Sequence, residues 1–427
     1  MEEKEIVGRG NKEGAELFRS WFRELTKVAE EGGNAAYVFV MGSFNEVLKT
    51  FDLPVVFPEI NSLQTAVRKV AHEYLGQAED YGYSPDICGY VKADVAVQLQ
   101  KGKHPMGRIP KPTIAVLTNA CNTYLKWAEI WERLHKIPVI TIDVPGTRRK
   151  GAKPKPGTED FKRDRAYVLE QTKELIEACE KLTGKKFDID KFREVLGYTN
   201  EMSKGWKRII ELNKSRPALF NALTDGTIYL GVANGFRGTK EGSEYFQRLV
   251  EEMEYKHKHG IGTLTDEKFR LSFVGVPCYP IFRRFNEFFS DWGGVFVQST
   301  YLYFASGGAN IGWQYDLDRP LESFAEGVLL SVGDAMDSMF YQEDILLKMI
   351  DEFQLDGIVY HPIKSCRTVS TGLADGRRYV LENRDISTLF LESDMMDGRV
   401  VSEAQMKNRI DAFFEGMTSK KQQAVRS

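Results

Sequence analysis

Five cysteines, at positions 88, 121, 179, 278 and 366 of the 427-residue chain, are the side chains best suited to redox or metal chemistry. Three of them lie in loop contexts. Cys121 follows the β-rich run Thr113-Ile114-Ala115-Val116-Leu117-Thr118 through the short turn Asn119-Ala120 and precedes a helical pattern over 122–135. Cys366 follows the run Gly357-Ile358-Val359-Tyr360 through His361-Pro362-Ile363-Lys364-Ser365. Each stands beyond the carboxyl end of an expected strand, where open parallel sheets bind ligands. A helix start adds free N–H groups and the positive end of a dipole, both of which favour a thiolate. Cys88, in Ser84-Pro85-Asp86-Ile87-Cys88-Gly89-Tyr90, lies in a loop at another helix start. Thiolates from three distant loops suit an iron–sulfur cluster with one iron left unligated by Cys; zinc favours a fourth protein ligand or paired spacings, and the chain has no C-x2-C pair. For any one of the three taken alone, a buried apolar thiol is an equal reading. Cys179, inside Leu175-Ile176-Glu177-Ala178-Cys179, reads as helix packing. Cys278, in Val276-Pro277-Cys278-Tyr279-Pro280, also follows a strand end but is left out of the cluster.

The elements that must hold these loops follow from periodicity. Leu17, Phe18, Trp21, Phe22, Leu25, Val28 and Ala29 recur at three-to-four spacing, so 12–30 is an amphipathic helix that Gly32-Gly33 stops. Short apolar runs at 37–41, 53–58, 113–118 and 138–143 alternate with helical patterns, the signature of a parallel sheet covered on both faces. The stretch 145–155, with Arg148-Arg149-Lys150, reads as a solvated connection, and 158–258 as mostly helical. Strand-like runs return at 271–276, 294–298, 357–360 and 388–392. The expected fold is α/β: two open parallel-sheet domains of the Rossmann or flavodoxin-like kind, about four strands each, joined by a helical segment. The expected boundaries are 1–34 for an N-terminal helical segment, 35–157 for the first α/β domain, 158–265 for the helical connector and 266–427 for the second α/β domain.

Composition narrows the function classes. Lys and Arg number 58 against 61 Asp and Glu, a net charge of −3 that gives no field for holding a nucleic acid. No apolar run approaches the roughly 18 residues that cross a bilayer. The start, Met1-Glu2-Glu3-Lys4-Glu5, has no apolar signal segment, so a cytoplasmic protein with reduced thiols is expected.

Several stretches resemble a known family: Pro58-Glu59-Ile60-Asn61, Asp86-Ile87-Cys88-Gly89-Tyr90-Val91-Lys92-Ala93-Asp94, Thr118-Asn119-Ala120-Cys121 with Lys126-Trp127 behind it, Phe236-Arg237-Gly238-Thr239, and Ile363-Lys364-Ser365-Cys366. Together they resemble the 2-hydroxyacyl-CoA dehydratase/benzoyl-CoA reductase family, and most closely its B-type reductase subunits, from about residue 35 to Phe413-Phe414. The resemblance implies a [4Fe-4S] cluster held by Cys88, Cys121 and Cys366. It implies a homologous second catalytic subunit and a separate ATP-hydrolysing iron–sulfur activator, fed by ferredoxin, that supplies low-potential electrons. The reductase branch converts benzoyl-CoA to a cyclohexadiene-carbonyl-CoA; the dehydratase branch removes water from 2-hydroxyacyl-CoA. A third reading is a non-catalytic electron-relay subunit. The chain has no G-x4-G-K-[ST] loop, so by that motif it is not itself the ATPase.

Ring reduction needs a positioned acid, and Glu59 and His361, both at expected strand ends, are the candidates. A helix-start carboxylate and a structural histidine are the competing readings. Lys364 and Ser365 are candidate donors to the cluster or the thioester carbonyl. Arg148, Arg149, Lys150, Lys153 and Lys155, and separately Arg237, are weaker candidates for the CoA phosphates. The aromatic side chains of 284–303 are candidate pocket walls, with ordinary core as the competing reading.

Overall fold

A computed structural model of the chain describes residues 6–145, 155–340 and 342–426. Helix α1 (Arg9–Glu31) buries Trp21, Phe22 and Leu25 on one face, and Gly32 ends it in the left-handed conformation. The Glu252 carboxylate accepts the N–H groups of Gly8 and Gly10 at 2.7 and 2.6 Å, which ties the start of α1 to a later helix.

Strands β1 (Ala36–Tyr37), β2 (Val55–Val56), β3 (Ile114–Thr118) and β4 (Val139–Ile142) form a parallel sheet in the order β2-β1-β3-β4. Helices α2 (Pro58–Val67), α3 (Gly89–Leu99) and α4 (Asn122–His135) belong to this half. The runs expected as strands over 37–41 and 53–58 pair over only two residues each. The reason is local: Val40 N–H donates to the Glu59 carboxylate at 3.3 Å instead of to a strand, and Pro58 opens α2 at once. A short hairpin pairing Lys103–His104 with Gly107–Arg108 was not foreseen from the sequence.

Among the described residues, four helices separate the sheets in the chain: α5 (Glu159–Thr183), α6 (Ile189–Leu212), α7 (Thr224–Gly235) and α8 (Lys240–His259). Thr158, Asp188 and Thr239 cap α5, α6 and α8 through their side chains, which locates those starts in the sequence. Helix α1 packs on α7 and α8.

The second sheet holds β5 (Phe269–Val274), β6 (Gly294–Ser299), β7 (Gly357–Tyr360) and β8 (Ser387–Phe390), all parallel, in the order β8-β7-β5-β6. Short helices α9 (Thr300–Phe304) and α10 (Arg367–Ser370) follow β6 and the β7 loop, and α11 (Glu403–Arg426) closes the chain. In both sheets the first strand pairs with the second on one side and the third on the other. That arrangement opens a crevice beyond the carboxyl ends of the first and third strands. Gly42 and Gly275 mark the chain's exit from the first strand in each half, at φ of +79° and +124°. At Gly275 a side chain would also meet the His361 carbonyl oxygen at 2.8 Å, so only glycine fits that turn. An apolar cluster runs through both sheets and the helices between them, and two smaller clusters pack around the second sheet.

Candidate active site

The carboxyl ends of the two sheets open on one cavity of about 610 Å³. Nearly every strand contributes its following loop to the wall. Val40 and Met41 come after β1, Glu59 after β2, Cys121 after β3, Val276 after β5, Tyr301 and Phe304 after β6, Cys366 after β7 and Met395 after β8. Cys88 enters from the loop before α3. Two sheets of the same strand order thus present equivalent edges to a shared space.

Cys88, Cys121 and Cys366 each occupy the residue just before a helix: α3, α4 and α10. All three are partly exposed and all line the cavity. Burial pushes the Cys88 and Cys366 thiols up, Cys366 to about 11; Cys366 and Cys121 raise Cys88 further, and Cys121 raises Cys366. The first-turn N–H groups pull the other way: Tyr90 and Val91 at Cys88, Thr368 and Val369 at Cys366. Among the described residues no three His, Cys, Asp or Glu side chains stand close enough to share one metal ion. Three thiols on one cavity, each at a helix start with free first-turn N–H groups, are a donor set of the kind that holds an iron–sulfur cluster.

The loops that carry these thiols are stapled together. Ser365 Oγ accepts the Gly89 N–H at 3.3 Å, so the residue before Cys366 holds the residue after Cys88. Buried Asp394, after β8, accepts N–H groups from Ser365 and Met396 at 2.8 Å and from Asp397 at 3.0 Å. Asp394 was not singled out in the sequence, because a lone Asp after a strand carries no signal. Cys179 and Cys278 are buried and line no part of the cavity.

Glu59 is the one carboxyl buried in the cavity wall. It is 4% exposed, and its Oε2 has no hydrogen-bond partner among the described residues. Burial pushes its carboxyl up to about 7, against the lowering pull of the Tyr124 hydroxyl and of backbone donors that include Val40. Such a group exchanges protons near neutral pH. It is also a helix-start carboxylate in the first turn of α2, so both sequence readings describe one residue. Tyr124 stacks on Phe39 with ring centroids 3.8 Å apart. Buried Tyr90, Tyr279 and Tyr301 form a further cluster, and burial pushes all three phenols up. The Trp127 wall is fixed from behind: its indole N–H and that of Trp131 both donate to Asp94 Oδ2 at 2.7 Å.

His361 is placed apart from the cavity. It is fully buried, and it lines no part of the cavity. Its Nδ1 is 2.6 Å from the Val276 carbonyl and its Nε2 2.6 Å from Ser393 Oγ. Burial pushes the ring down to about 4, so it is neutral at pH 7. With both nitrogens engaged it ties loops together, its Nδ1–H donating to the Val276 carbonyl. Lys364 is exposed and pairs with Glu392 at 3.3 Å, while Ser365 does line the cavity. Arg237 is buried against Glu46 at 2.6 Å and is not available to phosphates. Arg148, Arg149, Lys150 and Lys153 lie outside the described residues; Lys155 is exposed. Of the aromatic run 284–303, only Tyr301 reaches the cavity, and Phe285, Phe288, Phe289 and Phe296 are core.

The sequence profile of the 2-hydroxyglutaryl-CoA dehydratase D-component matches residues 41–417, which takes in every strand of the two sheets except β1 and all three cavity cysteines. The chain belongs to that family. Within it, the chain is similar to a benzoyl-CoA reductase subunit of Thauera aromatica, 31% identical over 95% of this chain and 94% of the relative. It is also similar to the (R)-phenyllactyl-CoA dehydratase alpha subunit of Clostridium sporogenes, 28% identical over 88% of each chain. A third relative is the (R)-2-hydroxyisocaproyl-CoA dehydratase alpha subunit of Clostridioides difficile, 28% identical over 95% of each. These relatives are enzyme subunits named for CoA thioesters. Among the described residues, no helix of this family member is long and apolar enough to cross a membrane.

Proposed function

We propose that this chain is the iron–sulfur catalytic subunit of an ATP-dependent benzoyl-CoA reductase, in which Cys88, Cys121 and Cys366 hold a [4Fe-4S] cluster. The observation that carries the reading is the meeting of three thiols, distant in sequence, on one largely apolar cavity. When bound, the cluster supplies low-potential electrons to the acyl thioester. The protein's own side chains do the rest. Tyr90, Tyr124, Trp127, Tyr301 and Phe304 line the space with rings, which suits a flat acyl group and excludes bulk water. Glu59, protonated near neutral pH and lacking a partner on Oε2, delivers a proton to the ring. A homologous second subunit, an ATP-hydrolysing iron–sulfur activator and ferredoxin complete the system, in a cytoplasmic location.

A second reading, radical dehydration of a 2-hydroxyacyl-CoA, draws support from the family profile and from the dehydratase relatives. A substrate-sized cavity beside the thiols speaks against a mere electron relay. The complex purified without oxygen, with its activator, is assayed with benzoyl-CoA and with a 2-hydroxyacyl-CoA. Turnover of benzoyl-CoA to the diene is expected; turnover of the hydroxyacyl ester alone would move the assignment to the dehydratase branch. Replacing Cys88, Cys121 or Cys366 singly by Ser is expected to remove iron and the brown colour, while Cys179→Ser and Cys278→Ser keep both. Full iron content in all three single variants would sink the cluster assignment.

A further inference from the structure

Thr368 stands between two of the three cavity thiols and touches one from each half of the molecule. It is the second residue of α10, two positions after Cys366, and it lines the cavity. Its backbone N–H faces Cys366 and pulls that thiol down against the effect of burial. Its side chain reaches the other way. Oγ1 lies 3.9 Å from the sulfur of Cys121, which follows β3 in the first half and is 247 positions away in sequence. One residue thus offers a donor to a sulfur from each half.

Chemistry fixes the direction of that contact. A cysteine that ligates iron is a thiolate with no hydrogen to give, so the Thr368 hydroxyl is the donor and the Cys121 sulfur the acceptor. The segment that carries Thr368 is pinned from within. Ser370 Oγ accepts the Ile363 N–H at 2.8 Å and donates to the Ile363 carbonyl at 3.0 Å. The Ser370 N–H donates to the Cys366 carbonyl at 3.2 Å. These bonds fix the backbone on both sides of Thr368, and with it the place from which the hydroxyl reaches Cys121.

We infer that the Thr368 hydroxyl donates a hydrogen bond across the crevice to the Cys121 sulfur and so raises the reduction potential of the cluster. This rests on the cluster assignment and adds to it a positioning residue that is not itself a ligand and acts through Cys121. The sign follows from charge. An electron added to an iron–sulfur centre is shared with its sulfurs, so a donor to sulfur stabilises the reduced form more than the oxidised one. Hydrogen bonds to the sulfurs are one of the levers by which a protein sets such a potential. The wall around the contact is largely apolar, and in low dielectric a single hydroxyl weighs more than it would in water.

A redox titration of the anaerobically purified complex tests this without turnover. The paramagnetic signal of the reduced cluster is followed against potential for the wild type, Thr368→Val and Thr368→Ser; the signal lost in Cys88→Ser identifies the cluster of this chain. Valine keeps the shape of the side chain and removes the hydroxyl, whereas serine keeps the hydroxyl and removes the methyl group. Thr368→Val is expected to keep its iron and to shift the one-electron equilibrium against reduction by roughly three- to tenfold, a fall of about 30–60 mV at 59 mV per factor of ten. Thr368→Ser is expected to titrate like the wild type. The inference is overturned if Thr368→Val keeps the wild-type potential or raises it, if Thr368→Ser falls as far as Thr368→Val, or if Thr368→Val loses its iron. Each of those results leaves the cluster assignment standing. A wild-type complex in which this chain carries no iron would overturn that assignment and the role of Thr368 with it.

Discussion

Glu59 shows how a single position carries both structure and chemistry. Its carboxylate replaces a strand partner for Val40, and that substitution brings it into the cavity wall. The group's folded value is raised from 4.5 to about 7, so the fold favours its protonated form. Its contribution to stability is therefore complete below about 4.5 and is lost as pH rises through 7. Glu59→Gln should melt like the wild type at pH 5 and above it at pH 8, by on the order of 3 kcal/mol at most. The same variant should lose benzoyl-CoA turnover by roughly a hundredfold or more. Melting curves at the two pH values, with turnover measured alongside, check this; a variant that keeps full activity would remove Glu59 from the chemistry. His361 differs from Glu59 through its partners and its position: burial perturbs both, but only Glu59 keeps an unpaired polar atom and borders the cavity.

At the scale of elements, three helix starts do the same task. Each brings a cysteine to the position where first-turn N–H groups are unpaired by the helix itself. At the α3 start, Gly89 lies against the loop after β8. A side chain there would meet Met396 Cβ at 2.7 Å and Cγ at 2.9 Å. Gly89→Ala must push that loop away and stretch the Gly89–Ser365 hydrogen bond. The expected loss of stability is about 1–3 kcal/mol. Iron should also leave the purified protein faster when a chelator is added. Denaturant melts and chelator kinetics report the two effects, and a wild-type iron release rate would show that the staple does not position Cys88.

At the scale of the whole molecule, the two halves are joined near the cavity by a charged network. Glu79, in the first half, binds Arg399 of the second half at 2.7 Å and buried Lys92 at 2.9 Å; Lys92 also donates to the Pro85 carbonyl in the Cys88 loop. Arg399 first, then Lys92, holds the Glu79 carboxyl down at about 2. A depressed carboxyl stabilises above its unfolded value of 4.5 and loses that contribution as pH falls toward 2. Arg399→Ala should lower Tm by a few degrees at pH 7, and by less at pH 3. Calorimetry at both values tests it; an equal drop at both would assign the effect to packing by the Arg399 stem and not to the ion pair.

Much of this was legible in the residues. The apolar runs specified two parallel sheets because strands buried on both faces carry continuous β-rich sequence. The Cys121 and Cys366 loops were legible because ligand sites in such sheets lie beyond strand ends, and the Cys88 loop because its turn residues mark a helix start. Side-chain orientation was not legible. Nothing local distinguishes His361, with both nitrogens engaged, from Glu59, with one oxygen unpaired, nor Arg237 in its pair with Glu46 191 residues away from a free cation. Asp94, which accepts two indole N–H groups from another helix, and the approach of the Thr368 hydroxyl to Cys121 are likewise products of packing. The sequence by itself determined the elements and the loops that bear the thiols, since periodicity and turn chemistry act over a few residues. Only the tertiary structure decided which polar groups find partners and which are left facing the cavity, because burial and pairing depend on residues far away in the chain.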